Sequence, residues 1–137
     1  MATILYVEDN ADQRLMIHTL LTSRGFDIEM APNGVEGLIL AKKSRPALIL
    51  LDLYMPKMDG FSFMEHLKRD PTTEGTPIIV ISAWPTGDHR QRARECGALA
   101  FIGKPYDIEG LVRLIKENLP VRRELPVATP AVQPSQV

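Results

Sequence analysis

The sequence lacks the features of a secreted, membrane-spanning or strongly nucleic-acid-binding chain. It has a single cysteine, Cys96, so no internal disulfide can form, and this thiol is expected to be a small packing residue in a reducing compartment. No apolar run approaches the roughly 18 residues that cross a membrane, and the N-terminus has no basic segment typical of a signal peptide. A net charge of -1 gives no reason to expect nucleic-acid binding through bulk electrostatics. These absences favour a cytoplasmic protein.

What is present is the composition of an ordinary globular domain, with 45% hydrophobic and 24% charged residues in 137. The domain is predicted over residues 1–120. After that the composition changes to Pro, Val, Ala, Thr and Gln without a period. Residues 121–137 are therefore predicted to be a disordered proline-rich tail or the remnant of a linker, too short to fold into a further domain.

Five short apolar segments alternate with five segments of helical periodicity. The predicted strands cover residues 3–7, 26–31, 47–52, 77–82 and 98–103. The helices between and after them are predicted to end near Gly25, Ser44, Asp70, Cys96 and Leu119. The side chains expected on the buried faces of the first two helices are Leu15, Met16, Leu20 and Leu21, and Val35, Leu38, Ile39 and Ala41.

Alternating strands and helices predict an α/β fold, a doubly wound parallel five-stranded sheet with helices on both faces. The second strand alternates apolar and acidic residues, which is typical of an edge. This favours the flavodoxin-like (βα)5 order 2-1-3-4-5, in which the switch point lies between the first and third strands.

Four of the predicted strands end in a polar functional group. Glu8 and Asp9 follow the first strand, Asp52 ends the third, Ser82 ends the fourth, and Lys104 follows the fifth. Each of these taken alone is most often a helix cap or a turn residue. Because the ends of parallel strands meet at one edge of the sheet, their joint occurrence predicts a functional site there.

The three carboxylates predict a metal ion at this edge. Glu8, Asp9 and Asp52 would raise one another's pKa, and a hard divalent cation relieves that repulsion. A small site of carboxylates, a backbone carbonyl and waters suits Mg²⁺, whereas Ca²⁺ prefers more protein oxygens and Zn²⁺ prefers His or Cys. The three histidines are expected on helix surfaces: His18, His66 and His89.

A cation, an ammonium group and a hydroxyl together suit a tetrahedral anion. Phosphoryl transfer needs mainly positioning and neutralisation of the equatorial oxygens. Lys104 and Ser82 would contact these oxygens, and Asp52 is the best placed nucleophile. The predicted intermediate is an acyl phosphate on Asp52.

With these residues in place, the chain resembles the receiver domains of two-component response regulators, in particular single-domain, chemotaxis-regulator-like ones. The matching residues, which span about 3 to 119, are Glu8-Asp9, Asp52 within Leu51-Asp52-Leu53-Tyr54-Met55-Pro56-Lys57-Met58-Asp59-Gly60, Ser82-Ala83 and Lys104-Pro105. The resemblance implies that Asp52 accepts a phosphoryl group from a phosphohistidine on a sensor histidine kinase or a histidine phosphotransfer protein.

The resemblance also implies roles for the neighbouring residues. The implied ligands of Mg²⁺ are Asp9, Asp52, the carbonyl of Tyr54 and, through water, Glu8. Ser82 and Lys104 would bind the phosphoryl oxygens, and the Lys104-Pro105 peptide bond would be cis.

The family's conformational switch can be placed on this sequence as well. Phosphorylation would draw Ser82 toward the phosphoryl group, and Phe101, where other members often have Tyr, would turn inward. The face made by the fourth helix, fifth strand and fifth helix would then bind a downstream effector protein. The arginines of the fourth helix could serve an acidic partner, although a solvated charged face is the favoured interpretation: Arg90, Arg92 and Arg94.

Two positions depart from the family's common residues. Tyr54 and Trp84 lie two residues after Asp52 and Ser82, where small or polar residues are frequent. Our hypothesis is that these aromatic rings restrict the water that attacks the acyl phosphate and so set its lifetime.

Three other functions fit the sequence less well. A metal-dependent phosphatase of the haloacid dehalogenase type also forms an aspartyl phosphate, but it needs an acid/base Asp at the position of Tyr54. A flavin-nucleotide-binding protein is disfavoured because residues 10–12 lack a Ser/Thr/Gly-rich phosphate loop. A receiver-shaped module that is never phosphorylated is disfavoured by the intact residue set. The chain is thus expected not to be a turnover enzyme, beyond self-catalysed transfer and slow dephosphorylation. The sequence does not determine the oligomeric state and is compatible with a homodimer.

Overall fold

The structure is a computed structural model that describes residues 3–55, 57–83 and 87–119. The strands are β1 (Thr3–Val7), β2 (Asp27–Ala31), β3 (Leu48–Asp52), β4 (Ile78–Ser82) and β5 (Ala100–Gly103). The helices are α1 (Ala11–Ser23), α2 (Gly34–Ser44), α3 (Gly60–Arg69), α4 (Gly87–Glu95) and α5 (Ile108–Asn118). The strand and helix order is as predicted. The prediction of a disordered tail at 121–137 lies outside the described residues.

All five strands are parallel and lie in the order β2-β1-β3-β4-β5, which confirms the predicted doubly wound sheet. β1 pairs with both β2 and β3, so the order reverses between β1 and β3. The register pairs Val7 with Leu51 and Asp52 with Ile81. The residues that follow β1 therefore lie beside the end of β3, at the switch point.

Helices cover both faces of the sheet and divide the core in two. On one face, α1 and α5 pack on alternate strand residues through Ile17, Leu21, Leu111, Val112 and Ile115. On the other face, the buried helix residues are Ala41 of α2, Phe61, Phe63, Met64 and Leu67 of α3, and Ala93 of α4. Every residue of β3 and β4 is buried, as expected for strands between two helical layers.

The predicted buried face of α1 is partly wrong. Leu15 and Met16 are 62% and 52% exposed, whereas Ile17 and Leu21 face the sheet. Several adjacent apolar residues on α1 allow more than one helical stripe, and only the packing against the sheet selects positions 17 and 21.

The predicted buried face of α2 is also partly wrong, because the helix approaches the sheet through small residues. Val35 and Ile39 are 44% and 60% exposed, while Gly37 and Ala41 are buried. A Cβ at Gly37 would lie 3.0 Å from Phe63 Cε1 and 3.1 Å from Val7 Cγ2. The close approach of α2 thus needs a residue without a side chain.

Among its described residues, helix α4 buries only Ala93, so little packing holds it on the sheet. Two of its arginines stack on aromatic rings: the guanidinium of Arg92 lies 3.9 Å from the centroid of Phe61, and that of Arg90 lies 4.7 Å from the centroid of Phe101. All three arginines of α4 are exposed, as expected for a solvated charged face, and the two stacks lie on that surface. Each stack contributes about 0.5–1 kcal/mol at an exposed position.

Cys96 is half-buried against the core, and burial raises the pKa of its thiol, as suits a packing residue.

Among the helices that the structure describes, none combines the length and the apolar character needed to cross a membrane.

Candidate functional site

The carboxylate of Glu8 lies at the end of β1 and is only 1% exposed. Its Oε1 accepts hydrogen bonds from the Tyr6 hydroxyl at 3.1 Å and from Lys104 Nζ at 3.3 Å. Its Oε2 accepts from the backbone N–H of Asn10 at 3.2 Å. Burial opposes ionisation, but these donors and a hydrogen bond with Asp52 outweigh it and lower the pKa of Glu8. Glu8 is therefore held as a charged carboxylate.

Asp52 is the last residue of the buried strand β3 and is 7% exposed. Its Oδ1 accepts the backbone N–H of Tyr54 at 3.2 Å, and its Oδ2 lies 3.8 Å from Lys104 Nζ. Burial first, and then the negative charge of Glu8, raises the pKa of Asp52 to about 7. Of the two neighbouring carboxyl groups, Asp52 is thus the weaker acid.

Asp9 completes an acidic cluster at the switch point. One oxygen from each of Glu8, Asp9 and Asp52 lies within 4.8 Å of the others. Asp9 is exposed, and the partial loss of water together with the Glu8 charge raises the pKa of Asp9. The structure thus brings together the three acids that the topology predicted. A donor set made only of carboxylate oxygens fits a hard divalent cation such as Mg²⁺.

Lys104 follows β5 and has a side chain that is 19% exposed. Its backbone N–H donates to the carbonyl of Ser82 at 2.7 Å, which joins the ends of β4 and β5. Ser82 is fully buried at the same edge. The Lys104-Pro105 peptide bond is cis, as the resemblance implied. Both predicted phosphoryl-binding residues therefore lie at the edge that holds the acids.

Three residues of this site were not found by sequence reasoning. The Tyr6 hydroxyl and the Gln13 amide contact the charged groups directly, the latter accepting from Lys104 Nζ at 2.7 Å. The guanidinium of Arg14 donates to the backbone carbonyls of Glu8 at 2.7 Å and Asp9 at 3.3 Å. Only Tyr6 left a signal, since it lies two residues before Glu8 in an apolar strand and so points to the same face.

Of the three aromatic residues with predicted roles, the structure describes Tyr54 and Phe101, and both contact α4. Tyr54 is 41% exposed, and its ring meets the ring of His89 edge-on, with centroids 5.7 Å apart. Phe101 is half-buried against the core under Arg90. The loop after β3 and the strand β5 thus both contact α4. Trp84 lies outside the described residues.

Comparisons with known proteins identify the family of this chain. Residues 4–116 match the sequence model of the response regulator receiver domain. Sporulation initiation phosphotransferase F of Bacillus subtilis is 32% identical over 119 residues, which cover 87% of this chain and 94% of that protein. Sensor histidine kinase CheAY of Helicobacter pylori is 32% identical over 118 residues, 85% of this chain and 15% of that protein. The structure of chemotaxis response regulator CheY4 of Vibrio cholerae is 30% identical, with a TM-score of 0.82 over 87% of this chain and 99% of that chain.

The hydroxyl of Tyr6 yields a prediction about stability. We expect Tyr6→Phe to lower the free energy of unfolding by about 1–2 kcal/mol, because the buried Glu8 carboxylate loses a donor. Chemical denaturation at neutral pH measures this. Tyr106→Phe is the matched control, since the Tyr106 hydroxyl is not among the described donors to Glu8. Equal losses in the two variants would show that the Tyr6 hydrogen bond contributes nothing.

Proposed function

We propose that this chain, which belongs to the family of response regulator receiver domains, accepts a phosphoryl group on Asp52 from a phosphohistidine donor. Members of this family are phosphoacceptor modules of two-component systems, and they are signalling modules instead of turnover enzymes. The observation that carries the assignment of Asp52 is its position. It is held at the end of a buried strand, between the acids after β1 and the ammonium of Lys104.

The transfer uses the chain's own groups in a defined way. An oxygen of the ionised Asp52 attacks the phosphorus atom, and the bond from phosphorus to the imidazole nitrogen breaks, with its electron pair leaving on the histidine. Lys104 moves its free N–H toward one phosphoryl oxygen, and Ser82 donates its hydroxyl to another. Slow attack by water on the phosphorus atom later breaks its bond to the Asp52 oxygen, which releases inorganic phosphate and restores the carboxylate.

We also infer a Mg²⁺ ion at the acidic cluster. Asp9, Asp52 and the carbonyl of Tyr54 would hold it directly, and Glu8 would hold it through water. When bound, the ion neutralises part of the negative charge of the carboxylates and of the phosphoryl group. The proximity of three carboxylate oxygens within 4.8 Å, two of them on buried residues, supports this inference.

The haloacid dehalogenase alternative is not favoured. Its acid/base would occupy position 54, where this chain has a tyrosine whose ring packs on His89. The family match over residues 4–116 also assigns the chain to a different class of protein.

The partners we propose are a sensor histidine kinase or a histidine phosphotransfer protein as donor and a separate effector protein as receiver of the signal. A relative named sensor histidine kinase CheAY contains a segment similar to this chain, which supports the first. We infer that this phosphoryl transfer takes place in the cytoplasm. We also propose residues 1–120 as the receiver domain, which the family match over residues 4–116 supports.

Phosphorylation of Asp52 is testable with acetyl phosphate as donor. We expect intact mass to show a gain of one phosphoryl group in the presence of Mg²⁺ and none after addition of a chelator. Asp52→Asn should show no gain, because the amide is not a nucleophile for this transfer. Asp12→Asn is the matched control, a loss of the same charge on the exposed side of α1. Labelling of Asp52→Asn, or turnover of small phosphates without accumulation, would contradict the assignment.

A switch at Phe101 is part of the same proposal. Phosphorylation would draw Ser82 to the phosphoryl group and allow Phe101 to turn inward, which changes the face of α4, β5 and α5. The position of Phe101 under the Arg90 guanidinium supports a resting state in which this ring is held outward by the stack. Because α4 buries only Ala93 among its described residues, little packing resists its movement.

Removal of the Arg90 guanidinium should therefore bias the switch. We expect Arg90→Met to increase the inward population of Phe101 about two- to fivefold, because the stack is worth about 0.5–1 kcal/mol. Fluorine NMR of fluorophenylalanine at position 101 reports the two populations. Arg94→Met is the control, since the Arg94 guanidinium bonds to Gln91 instead. An unchanged Phe101 spectrum in Arg90→Met would rule out this role of the stack.

The lifetime of the acyl phosphate gives a further test. We propose that the Tyr54 ring shields the phosphoryl group from water, and that Trp84 acts in the same way. The edge-on contact of the Tyr54 ring with His89 supports this role for Tyr54, because it holds the ring near the site. Tyr54→Asn and Trp84→Glu should each shorten the half-life of the phosphoryl group about three- to tenfold, as followed by intact mass over time. Half-lives equal to that of the unmodified chain would contradict the hypothesis.

A further inference from the structure

The ammonium group of Lys104 has three polar neighbours in the described structure, and the shortest contact is to a residue outside the acidic cluster. Nζ lies 2.7 Å from Gln13 Oε1, 3.3 Å from Glu8 Oε1 and 3.8 Å from Asp52 Oδ2. An ammonium has three N–H donors. Two of them make hydrogen bonds, and the distance to Asp52 is too long for a third.

Gln13 reaches this position from a firmly held turn of α1. Its backbone N–H donates to the Asn10 side chain at 2.9 Å, which caps the helix. The next residue, Arg14, binds the carbonyls at the end of β1. The backbone of α1 at Gln13 is thus held beside the strand end that carries Glu8.

The geometry points to Gln13 as a positioning residue for phosphoryl transfer, which holds the Lys104 ammonium beside Asp52 without letting it pair closely. This inference rests on the proposed function of Asp52. Between two buried carboxylates alone, a lysine is drawn into contact with both, and a close pair with Asp52 would have to break before the phosphoryl group could enter. The neutral Gln13 Oε1, at 2.7 Å, occupies one N–H of Nζ that would otherwise pair with a carboxylate.

The Lys104 ammonium, which Gln13 positions, assists the transfer of the phosphoryl group to Asp52. The Asp52 oxygen forms a bond to phosphorus while the bond from phosphorus to the leaving group breaks, and the electron pair departs with that group. Lys104 turns its remaining N–H toward a phosphoryl oxygen and keeps its bond to Gln13, so little reorientation is needed. No proton moves to or from Gln13.

Gln13→Met and Gln13→Asn test this role. Methionine has nearly the same shape without an acceptor amide, and asparagine keeps the amide one methylene too short. We expect both variants to react with acetyl phosphate and Mg²⁺ about tenfold more slowly, because the ammonium loses a hydrogen bond that orients it. Met16→Gln is the matched control: Met16 lines the same apolar groove of about 510 Å³ as Gln13 but is not one of the polar neighbours of Lys104 Nζ.

Two measurements separate positioning from a merely structural role. The Mg²⁺ dissociation constant, measured by calorimetry, should stay within about twofold, and the ammonium NMR signal of Lys104 should shift or exchange faster in both Gln13 variants. A wild-type phosphorylation rate in Gln13→Met overturns the inference but leaves the assignment of Asp52 intact. Loss of rate in proportion to lost Mg²⁺ affinity and lower Tm also overturns it. Absence of labelling in the unmodified chain overturns both.

Discussion

The site depends on the burial of two like charges at the end of an apolar sheet. Glu8 and Asp52 are almost fully excluded from water, and removing ions from water costs several kcal/mol each unless other groups compensate. Lys104, the Tyr6 hydroxyl and backbone N–H groups provide that compensation for Glu8, while Asp52 remains the weaker acid. An arrangement that is costly for folding thus leaves one carboxylate poised to react.

The sequence was sufficient to predict the strand ends, because the signal there is local. β3 is an uninterrupted apolar segment that ends at Asp52, and such a segment is recognisable without any partner. The alternating apolar and acidic residues of β2 indicate an edge strand. The strand order that follows from this predicts that Glu8 lies beside Asp52. Both steps use the period of a strand and the geometry of parallel crossovers, which hold in any context.

What could not be predicted depends on contacts between distant elements. The apolar residues of α1 fit two stripes, and the sheet alone decides that Ile17 is buried and Met16 exposed. Gln13 looks like any surface glutamine until Lys104 is placed against it. The stacking of Arg90 on Phe101 likewise requires knowledge of how α4 lies on β5. The sequence pattern of polar and charged side chains on a helix does not indicate which residues they will contact.

The contacts of Lys104 join parts of the chain that are 96 and 91 residues apart, at Glu8 and Gln13. Contacts of such separation are slow to form, because closing a long loop costs conformational entropy. During synthesis, the acids leave the ribosome well before the lysine that neutralises them. A partly folded or truncated chain therefore carries repelling carboxylates without their counter-charge. The acids and the lysine that pairs with them come together only when β5, the last of the described strands, joins the sheet.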